Sequence, residues 1–253
     1  MEDKKIIVTT SWDDGYALDI RIAELLEKYN IQGTFYVPIR NKEHSVMNAA
    51  TLTGISNLFE IGGHTVNHIY LNTLDKDEAR TEISECKTIL ENRIGKKVEA
   101  FCYPGGKFSQ RDIDFVKEAG YLFGRTTKML HTSTKINSAL MDTTVQAYNH
   151  SSIVLMRHCI KHTFLLPIIQ NLLFYKGNKD FPKLAESFIS KMMYTGGVFH
   201  LWGHSWEIEQ FGLWKELETL LKMLAFNKEI AYFNNTDCWN SLRKSNELLT
   251  PKN

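Results

Sequence analysis

Two adjacent carboxylates stand near the start of the chain, directly after a short apolar and β-branched segment. Asp13 and Asp14 follow residues 6–9, a predicted strand, and are themselves followed by a glycine. Adjacent side chains on an extended segment point in different directions, so one carboxylate can bind a metal ion while the other faces a reacting group. An aspartate that caps a helix gives the same pattern, and these residues alone do not distinguish the two possibilities.

Two histidines four residues apart are the second candidate group. His64 and His68 follow a predicted strand that ends in a pair of glycines. If the chain turns helically here, their Cβ atoms lie about 5–6 Å apart, close enough to share one cation. Two histidines at this spacing, taken alone, are more often surface residues or hydrogen-bonded core residues than metal ligands. Its position at a strand end, like that of Asp13 and Asp14, favours a metal site of two histidines and one aspartate, which suits zinc.

A turn and a late histidine complete the set of candidates. In the turn at residues 101–106, a proline fixes the backbone and two glycines let N–H groups approach a ligand, where they can stabilise an oxyanion. His204 follows a predicted strand at residues 196–202 and would face the same site. His200 would lie roughly 13 Å from it along that strand, at about 3.3 Å per residue, so the two cannot chelate one ion.

The elements that position these residues alternate between strand and helix, which implies a parallel α/β sheet. Six or seven such units in 253 residues fit a closed or nearly closed barrel, although an open doubly wound sheet has the same pattern. Either architecture places the site at the carboxyl ends of the strands. The predicted strands are residues 6–9, 33–37, 60–63, 98–103, 121–126, 196–202 and 230–233, and the predicted helices are residues 17–29, 48–59, 75–93, 109–119 and 209–226.

The interval at residues 128–195 is longer than one strand–helix unit. We expect it to contain two or three extra helices, including residues 151–161 and 180–194, and to form a cap over the site. No linker or repeat divides the chain, so a single domain over residues 1–253 with a helical insertion is predicted.

Composition excludes several classes of function. Thirty basic and 29 acidic residues give a net charge of +1, which predicts no nucleic-acid or anionic-membrane partner. The N-terminal residues lack the apolar region of a signal peptide, and the most apolar stretch, residues 164–175, is too short and polar to cross a membrane. Four cysteines without a CxxC pair are typical of reduced thiols. A cytoplasmic location is therefore expected, and the oligomeric state stays open.

The order of these motifs resembles that of the polysaccharide deacetylases of the NodB-homology group, also called carbohydrate esterase family 4. The resemblance rests on SWDDG at residues 11–15, HTVNH at 64–68, the aromatic–Pro–Gly turn, and the late Leu-x-x-His at 201–204. It covers roughly residues 6–127 and 196–240. It implies a distorted (β/α)7 barrel that removes N- or O-acetyl groups with the help of one divalent metal ion, with Zn²⁺ favoured and Co²⁺ or Ni²⁺ as alternatives.

The resemblance also implies a role for each candidate residue. The implied roles are metal ligation by Asp14, His64 and His68, general-base catalysis by Asp13, oxyanion stabilisation by the Gly105 N–H, and general-acid catalysis by His204. Substrate contacts are expected from Tyr103, Pro104 and Trp206, because an indole beside the acid can stack on a sugar ring. Trp206 is preferred over Trp202 for this contact.

The chain departs from the family pattern at Cys102. Many members carry an arginine there, which pairs with the base carboxylate. Arg125, at the end of the next predicted strand, is expected to supply the missing charge, although an exposed surface arginine fits the sequence equally well.

The leading functional hypothesis is a metal-dependent deacetylase of an N-acylated amino sugar, such as a sugar nucleotide, a glycan intermediate or a small glycoside. One alternative is a deformylase or other C–N hydrolase of a non-polymeric substrate. Another is a catalytically silent metal- or carbohydrate-binding module, which the presence of both Asp13 and His204 disfavours.

Overall fold

A curled parallel sheet forms the centre of the protein. A computed structural model describes residues 5–135, 139–151, 153–154 and 180–249. The described residues form nine strands: β1 Ile6–Trp12, β2 Thr34–Val37, β3 Glu60–Gly63, β4 Ala100–Cys102, β5 Phe123–Arg125, β6 Leu140–Met141, β7 Val145–Gln146, β8 Gly197–Gly203 and β9 Ile230–Tyr232. The α-helices among them are α1 Asp19–Lys28, α2 Ala49–Leu58, α3 Lys76–Ile94, α4 Gln110–Glu118, α5 Phe181–Thr195, α6 Ser205–Gln210, α7 Trp214–Leu224 and α8 Asn235–Leu249.

The strand order shows that the sheet is strongly curled. The strands pair in the order β6-β5-β4-β3-β2-β1-β8-β7, and β9 pairs with the first residues of β1. β6 and β7 lie at opposite ends of this order, yet only residues 142–144 separate them along the chain. In a flat sheet of eight strands the outer two would lie about 34 Å apart at roughly 4.8 Å per strand, too far for this connection. The predicted distorted (β/α)7 barrel is confirmed, and the open sheet is excluded.

Several helix boundaries follow from capping residues that the sequence reveals. Asp75 accepts hydrogen bonds from the backbone at the start of α3 while Glu78 binds back to the Asp75 N–H, which is a capping box. Gly95 ends the same helix with φ 67°, a left-handed conformation that glycine adopts without strain. Asn48 caps α2 by accepting from the Thr51 N–H at 2.9 Å. These caps explain why the predicted boundaries lie close to the observed ones.

The C-terminal part of the fold differs from the prediction. The helix predicted at residues 209–226 corresponds to α7, which begins only at Trp214. Residues 209 and 210 end a separate helix, α6, and Gly212 breaks the chain between the two with φ 65°. Helix α8 and the two-residue strands β6 and β7 were not predicted, and such short strands carry no readable periodicity. The predicted helix at 180–194 is confirmed as α5, whereas the one at 151–161 falls almost wholly outside the described residues.

The interior of the barrel beneath the strand ends is partly polar. His200 lies buried in β8, where its Nε2 atom is 2.8 Å from Ser11 Oγ. The Asn235 side chain accepts from the Tyr36 hydroxyl at 2.8 Å and donates to Thr9 Oγ1 at 2.8 Å. Burial lowers the pKa of His200 to about 3, so it is a neutral core residue. In the described ranges, no helix combines the length and the apolarity needed to cross a membrane.

Candidate active site

Five strands bring polar side chains to one end of the barrel. Asp13 directly follows β1, His64 follows β3 and His204 follows β8, while Cys102 and Arg125 are the last residues of β4 and β5. Because the strands are parallel, their carboxyl ends meet at the same rim. The predicted residues from separate motifs are therefore brought together.

Three potential ligand atoms converge at this rim. The Asp14 Oδ1 atom lies 2.9 Å from His68 Nε2 and 3.5 Å from His64 Nε2. Within the described part of the chain, no hydrogen bond of acceptable geometry reaches this buried Oδ1 atom. Burial would raise the pKa of Asp14, but its contacts with the two histidines lower it well below the ordinary value, so the carboxylate is ionised. An ionised oxygen without a hydrogen bond between two imidazole nitrogens fits a divalent cation such as zinc.

Neighbouring groups hold two of these ligands in orientation. The His64 Nδ1 atom lies 2.8 Å from the Cys102 carbonyl oxygen, so this nitrogen carries the proton and leaves the Nε2 lone pair for a metal. The Trp206 indole N–H donates to Asp14 Oδ2 at 2.8 Å. Trp206, predicted to stack on a sugar, therefore has a contact with the Asp14 carboxylate, a candidate metal ligand, that its sequence position did not reveal.

The loop that carries the two histidines is not helical, unlike the arrangement considered from the sequence. Thr65 and His68 adopt φ 66° and 53°, left-handed values that interrupt a helix. With Asp14 at φ 75°, they make up three of the six non-glycine residues with positive φ in the described ranges. Such strain is held by surrounding structure and often occurs at functional sites. Here Glu82 holds the loop by accepting from the Asn67 N–H at 2.8 Å and from its Nδ2 at 2.5 Å.

Asp13 forms a buried ion pair with Arg125. The Arg125 guanidinium donates to Asp13 Oδ1, and the Cys102 thiol lies 3.7 Å from Asp13 Oδ2. Arg125 is fully buried, with its guanidinium 4.8 Å from the centre of the Trp202 ring, so it is not a surface arginine. A cation from β5 thus lies beside Asp13, where many family members use an arginine at the Cys102 position.

A second group of possible ligands shares His64. Asp13, His64 and Cys102 each offer one potential ligand atom, and these three atoms also lie within 4.8 Å of one another. Asp13 is already paired with the Arg125 cation, which would repel a metal ion. Burial raises the pKa of Cys102 well above its ordinary value and so disfavours the thiolate that binds metals. The trio of Asp14, His64 and His68 is therefore the better metal site.

His204 lies beside both aspartates and is held by a partner that the sequence-based reasoning missed. Its Nε2 atom is 4.0 Å from Oδ2 of both Asp13 and Asp14, and its Nδ1 atom is 2.5 Å from Glu207 Oε2. Burial lowers the pKa of His204, but the bond to Glu207 and the two aspartate charges raise it to about 9. The ring can therefore carry a proton at neutral pH. The spacing of three residues from His204 to Glu207 is the signal that would have identified this partner.

The turn after β4 contributes backbone rather than side chains. Gly105 is exposed with φ 57°, and a Cβ atom at this position would lie 2.7 Å from the Tyr70 ring. Its main chain is thus accessible at the rim, as an oxyanion donor requires. Tyr103, predicted from the sequence as a substrate contact, has a fully buried ring that stacks on Phe108 at a centroid distance of 4.2 Å. Pro104 is also buried and shapes the turn.

The buried ion pair gives a prediction about stability. Replacing Arg125 by Met should lower the free energy of unfolding by about 3–5 kcal/mol, because the buried Asp13 carboxylate loses its cation. Urea denaturation in the presence of a chelator measures this change. Arg21→Met is the matched control: its 3.8 Å pair with Glu209 is half-exposed and should contribute less than about 1 kcal/mol. Equal losses in the two variants would contradict the importance of the buried pair.

The bond between Glu207 and His204 gives a prediction about turnover. Glu207→Gln should lower kcat by about 10- to 100-fold, because the histidine loses the partner that orients it and favours its protonated form. Metal content should stay unchanged. The control variant Glu209→Gln, on the same helix, should keep kcat within about twofold of the parent value. A Glu207→Gln variant with the parent's kcat would show that this carboxylate does not support His204.

Comparison with known sequences agrees with the family that the motifs resemble. Residues 1–124 match the sequence model of the polysaccharide deacetylase family. The Bacillus subtilis protein YxkH, assigned to the polysaccharide deacetylases, is 27% identical over 133 residues, covering 50% of this chain and 46% of that protein. A Bacillus cereus peptidoglycan-N-acetylglucosamine deacetylase is 29% identical over 122 residues, covering 47% and 55%. The chain spans about half the length of these curated relatives.

Comparison with solved structures agrees with the fold. A Mycobacterium smegmatis protein assigned to the polysaccharide deacetylases gives a TM-score of 0.68 at 16% identity, covering 100% of this chain and 95% of that one. A carbohydrate esterase family 4 pseudoenzyme from Bacillus anthracis gives 0.55 at 17% identity, covering 94% and 66%. A fold that a pseudoenzyme also adopts does not establish activity, which must be argued from the site.

Proposed function

Because residues 1–124 belong to the polysaccharide deacetylase family, we propose that this protein is a metal-dependent hydrolase that removes the acetyl group from an N-acetylated amino sugar. The observation that carries the proposal is the convergence of Asp14, His64 and His68 next to Asp13 and His204. This arrangement combines a ligand set for one cation with a carboxylate and a protonated histidine. Metal-assisted hydrolysis of an amide uses all of these parts.

The proposed cofactor is one divalent cation held by Asp14, His64 and His68. Two imidazole nitrogens and one carboxylate oxygen favour Zn²⁺, with Co²⁺ and Ni²⁺ as alternatives. When bound, such an ion lowers the pKa of water and polarises a carbonyl oxygen. The Cys102 carbonyl and the Trp206 indole orient two of the ligands, so the protein supplies a prearranged site.

The residues around this site divide the proton transfers between them. Asp13 accepts the proton of the attacking water, and the ion pair with Arg125 orients that carboxylate. The Gly105 N–H donates to the oxygen that becomes negative in the tetrahedral intermediate. His204 then donates its proton to the leaving amine nitrogen, so that water is consumed, acetate is released and a free amine remains. Glu207 holds His204 for this step.

A catalytically silent binding module is the second candidate. It is favoured by the pseudoenzyme among the structural relatives, which has the same fold. The presence of both a base and an acid beside the ligand trio argues against it, because binding alone requires neither. A deformylase or another C–N hydrolase would use the same residues and differ only in the acyl group or the amine.

One substrate screen separates these functions. The zinc-loaded protein is incubated with N-acetylglucosamine, chito-oligosaccharides, an N-acetylated sugar nucleotide, the matching N-formyl sugars and a simple acetamide. Acetate release from an acetylated sugar is expected, at a rate well above that with the simple amide. Faster release of formate would favour the deformylase, and binding without release of any acid would favour the silent module.

We further propose a cytoplasmic location. In the described part of the chain, Cys86, Cys102 and Cys238 are free and buried, as reduced thiols in a cytosol would be.

A further inference from the structure

One buried carboxyl group beside the site has no role in the proton transfers or in metal binding. Asp19 is the first residue of α1 and is fully buried. The Ser205 hydroxyl, also fully buried, donates to Asp19 Oδ1 at 2.5 Å. Among the described residues, the Oδ2 atom of Asp19 has no hydrogen-bond partner. Burying such a group costs free energy, so the bond from Ser205 is the contact that can account for its presence.

Ser205 directly follows His204, the proposed general acid. His204 is the last residue before α6, and Ser205 is the first residue of that helix. On the other side of the acid, the Gly203 carbonyl accepts from the Asp13 N–H at 3.0 Å. The main chain of His204 is therefore held on one side by pairing with the segment that carries the base, and on the other side by Asp19.

The bond to Asp19 is the most deeply buried of those that fix the start of α6. Side chains at residues 205–207 form hydrogen bonds to other elements of the barrel. Those of Trp206 and Glu207 are partly exposed, whereas the Ser205 bond to Asp19 is buried on both sides. Water competes less for a buried hydrogen bond, which is therefore stronger. Asp19 thus supplies the firmest side-chain attachment of this segment.

Asp19 belongs to the same short segment as the base and one proposed metal ligand. Asp13 and Asp14 precede α1, and the Asp19 N–H donates to the Tyr16 carbonyl at 2.9 Å, which keeps the connection compact. A displacement of about 1 Å between reacting groups can cost about 10²-fold in rate. The position of the acid relative to the base therefore depends on residues 13–19 and on their bond to Ser205.

The environment keeps the Asp19 side chain neutral. Burial raises the pKa of Asp19 well above its ordinary value, and the charges of Asp14 and Asp13 add to this rise, although the bond from Ser205 opposes it. A neutral carboxyl group still accepts the Ser205 hydroxyl. It does so without placing a third negative charge beside Asp13 and Asp14.

We propose that Asp19 is a positioning residue that fixes His204 relative to Asp13 through the buried hydrogen bond to Ser205. The catalytic consequence rests on the proposed function. The position requires a neutral side chain with an acceptor for the Ser205 hydroxyl. Asparagine meets this requirement and alanine does not.

The test measures kcat, KM and metal content with the best acetylated substrate of the parent. Asp19→Ala should lower kcat about 10- to 50-fold and leave KM and metal content within about twofold, because proton donation is misaligned while binding persists. Ser205→Ala should give a similar loss, and the double variant should lose little more than either single one, since the two residues act as a pair. Asp19→Asn should keep kcat within about threefold of the parent value.

Asp112→Ala is the matched control for a purely structural effect. Asp112 is also a fully buried carboxyl group in the first turn of a helix, α4, and it accepts from the Ser109 hydroxyl at 2.8 Å. Its loss should lower stability and leave kcat within about twofold. Equal losses of kcat in Asp19→Ala and Asp112→Ala would overturn the positioning role. Should Asp19→Ala fail to fold, Ser205→Ala, which removes only the hydroxyl oxygen, decides the same comparison.

Hydrogen exchange of the backbone amides in residues 204–210, followed by mass spectrometry, gives a second measurement that needs no turnover. Exchange in this segment should be at least about tenfold faster in Asp19→Ala than in the parent, and unchanged in Asp112→Ala. If the parent releases acetate from no acetylated sugar, the proposed function fails, and exchange alone decides whether Asp19 holds the segment. Unchanged exchange in Asp19→Ala would overturn the inference, as would parent-like kcat in that variant or an equal loss of kcat in Asp19→Asn.

Discussion

Replacing Asp13 by Asn should lower kcat for the best acetylated substrate by about 10²- to 10⁴-fold, the usual contribution of a positioned acid or base. Asparagine keeps the size of the side chain but cannot accept the proton of the attacking water. The proposed metal ligands are untouched, so the metal content should equal that of the parent. Steady-state acetate release and metal analysis of the same preparation test both parts.

Asp13→Asn also leaves the charge of the buried Arg125 guanidinium unpaired, and this should lower the stability of the variant. The double variant Asp13→Asn/Arg125→Met removes both charges and should recover part of the lost stability without recovering turnover. His204→Ala should give a similar loss of kcat, and combining it with Asp13→Asn should lose less than the product of the single effects. Parent-like kcat in both single variants, with metal in place, would exclude these residues as base and acid.

Replacing His64 by Ala should abolish stoichiometric metal binding and lower acetate release by more than about 10²-fold, because a bound cation supplies several kcal/mol to such a reaction. His64 and His68 provide both nitrogen ligands of the trio, so His68→Ala should have the same effect. Metal content is measured after dialysis against metal-free buffer, and circular dichroism checks that the variants fold.

His131→Ala is the matched control for this pair. His131 lies 3.4 Å from Asp142 and outside the ligand trio, so its loss should leave both metal content and kcat close to the parent values. Parent-like metal content in His64→Ala would refute the ligand assignment. A loss of metal with unchanged turnover would show that the reaction does not depend on the ion.

The barrel could be predicted from the sequence because its elements carry local signals. Caps such as Asp75 and Gly95 mark the helix ends, and apolar runs mark the longer strands. These local signals did not distinguish a curled barrel from an open sheet, because the difference is visible only at β6 and β7, two-residue strands that carry no readable periodicity. The division between α6 and α7 was missed because Gly212 stands inside an otherwise helical pattern.

The site shows the same contrast between local and long-range information. Residues with a distinctive type and spacing, such as Asp14, His64 and His68, could be identified before the structure and do come together. The burial of Tyr103 was not predicted, because a residue beside an exposed turn can still direct its side chain into the core. The contact of Trp206 with Asp14 spans 192 positions along the chain, and no sequence pattern encodes it.

The most direct test of the metal-dependent deacetylase is a titration of chelator-treated protein with Zn²⁺, following bound metal and acetate release from chitobiose in the same samples. The account predicts that both signals rise together and saturate at one ion per chain, and that His68→Ala shows neither. Full acetate release before any metal is added would contradict it, as would a saturated site that releases no acetate from any acetylated sugar.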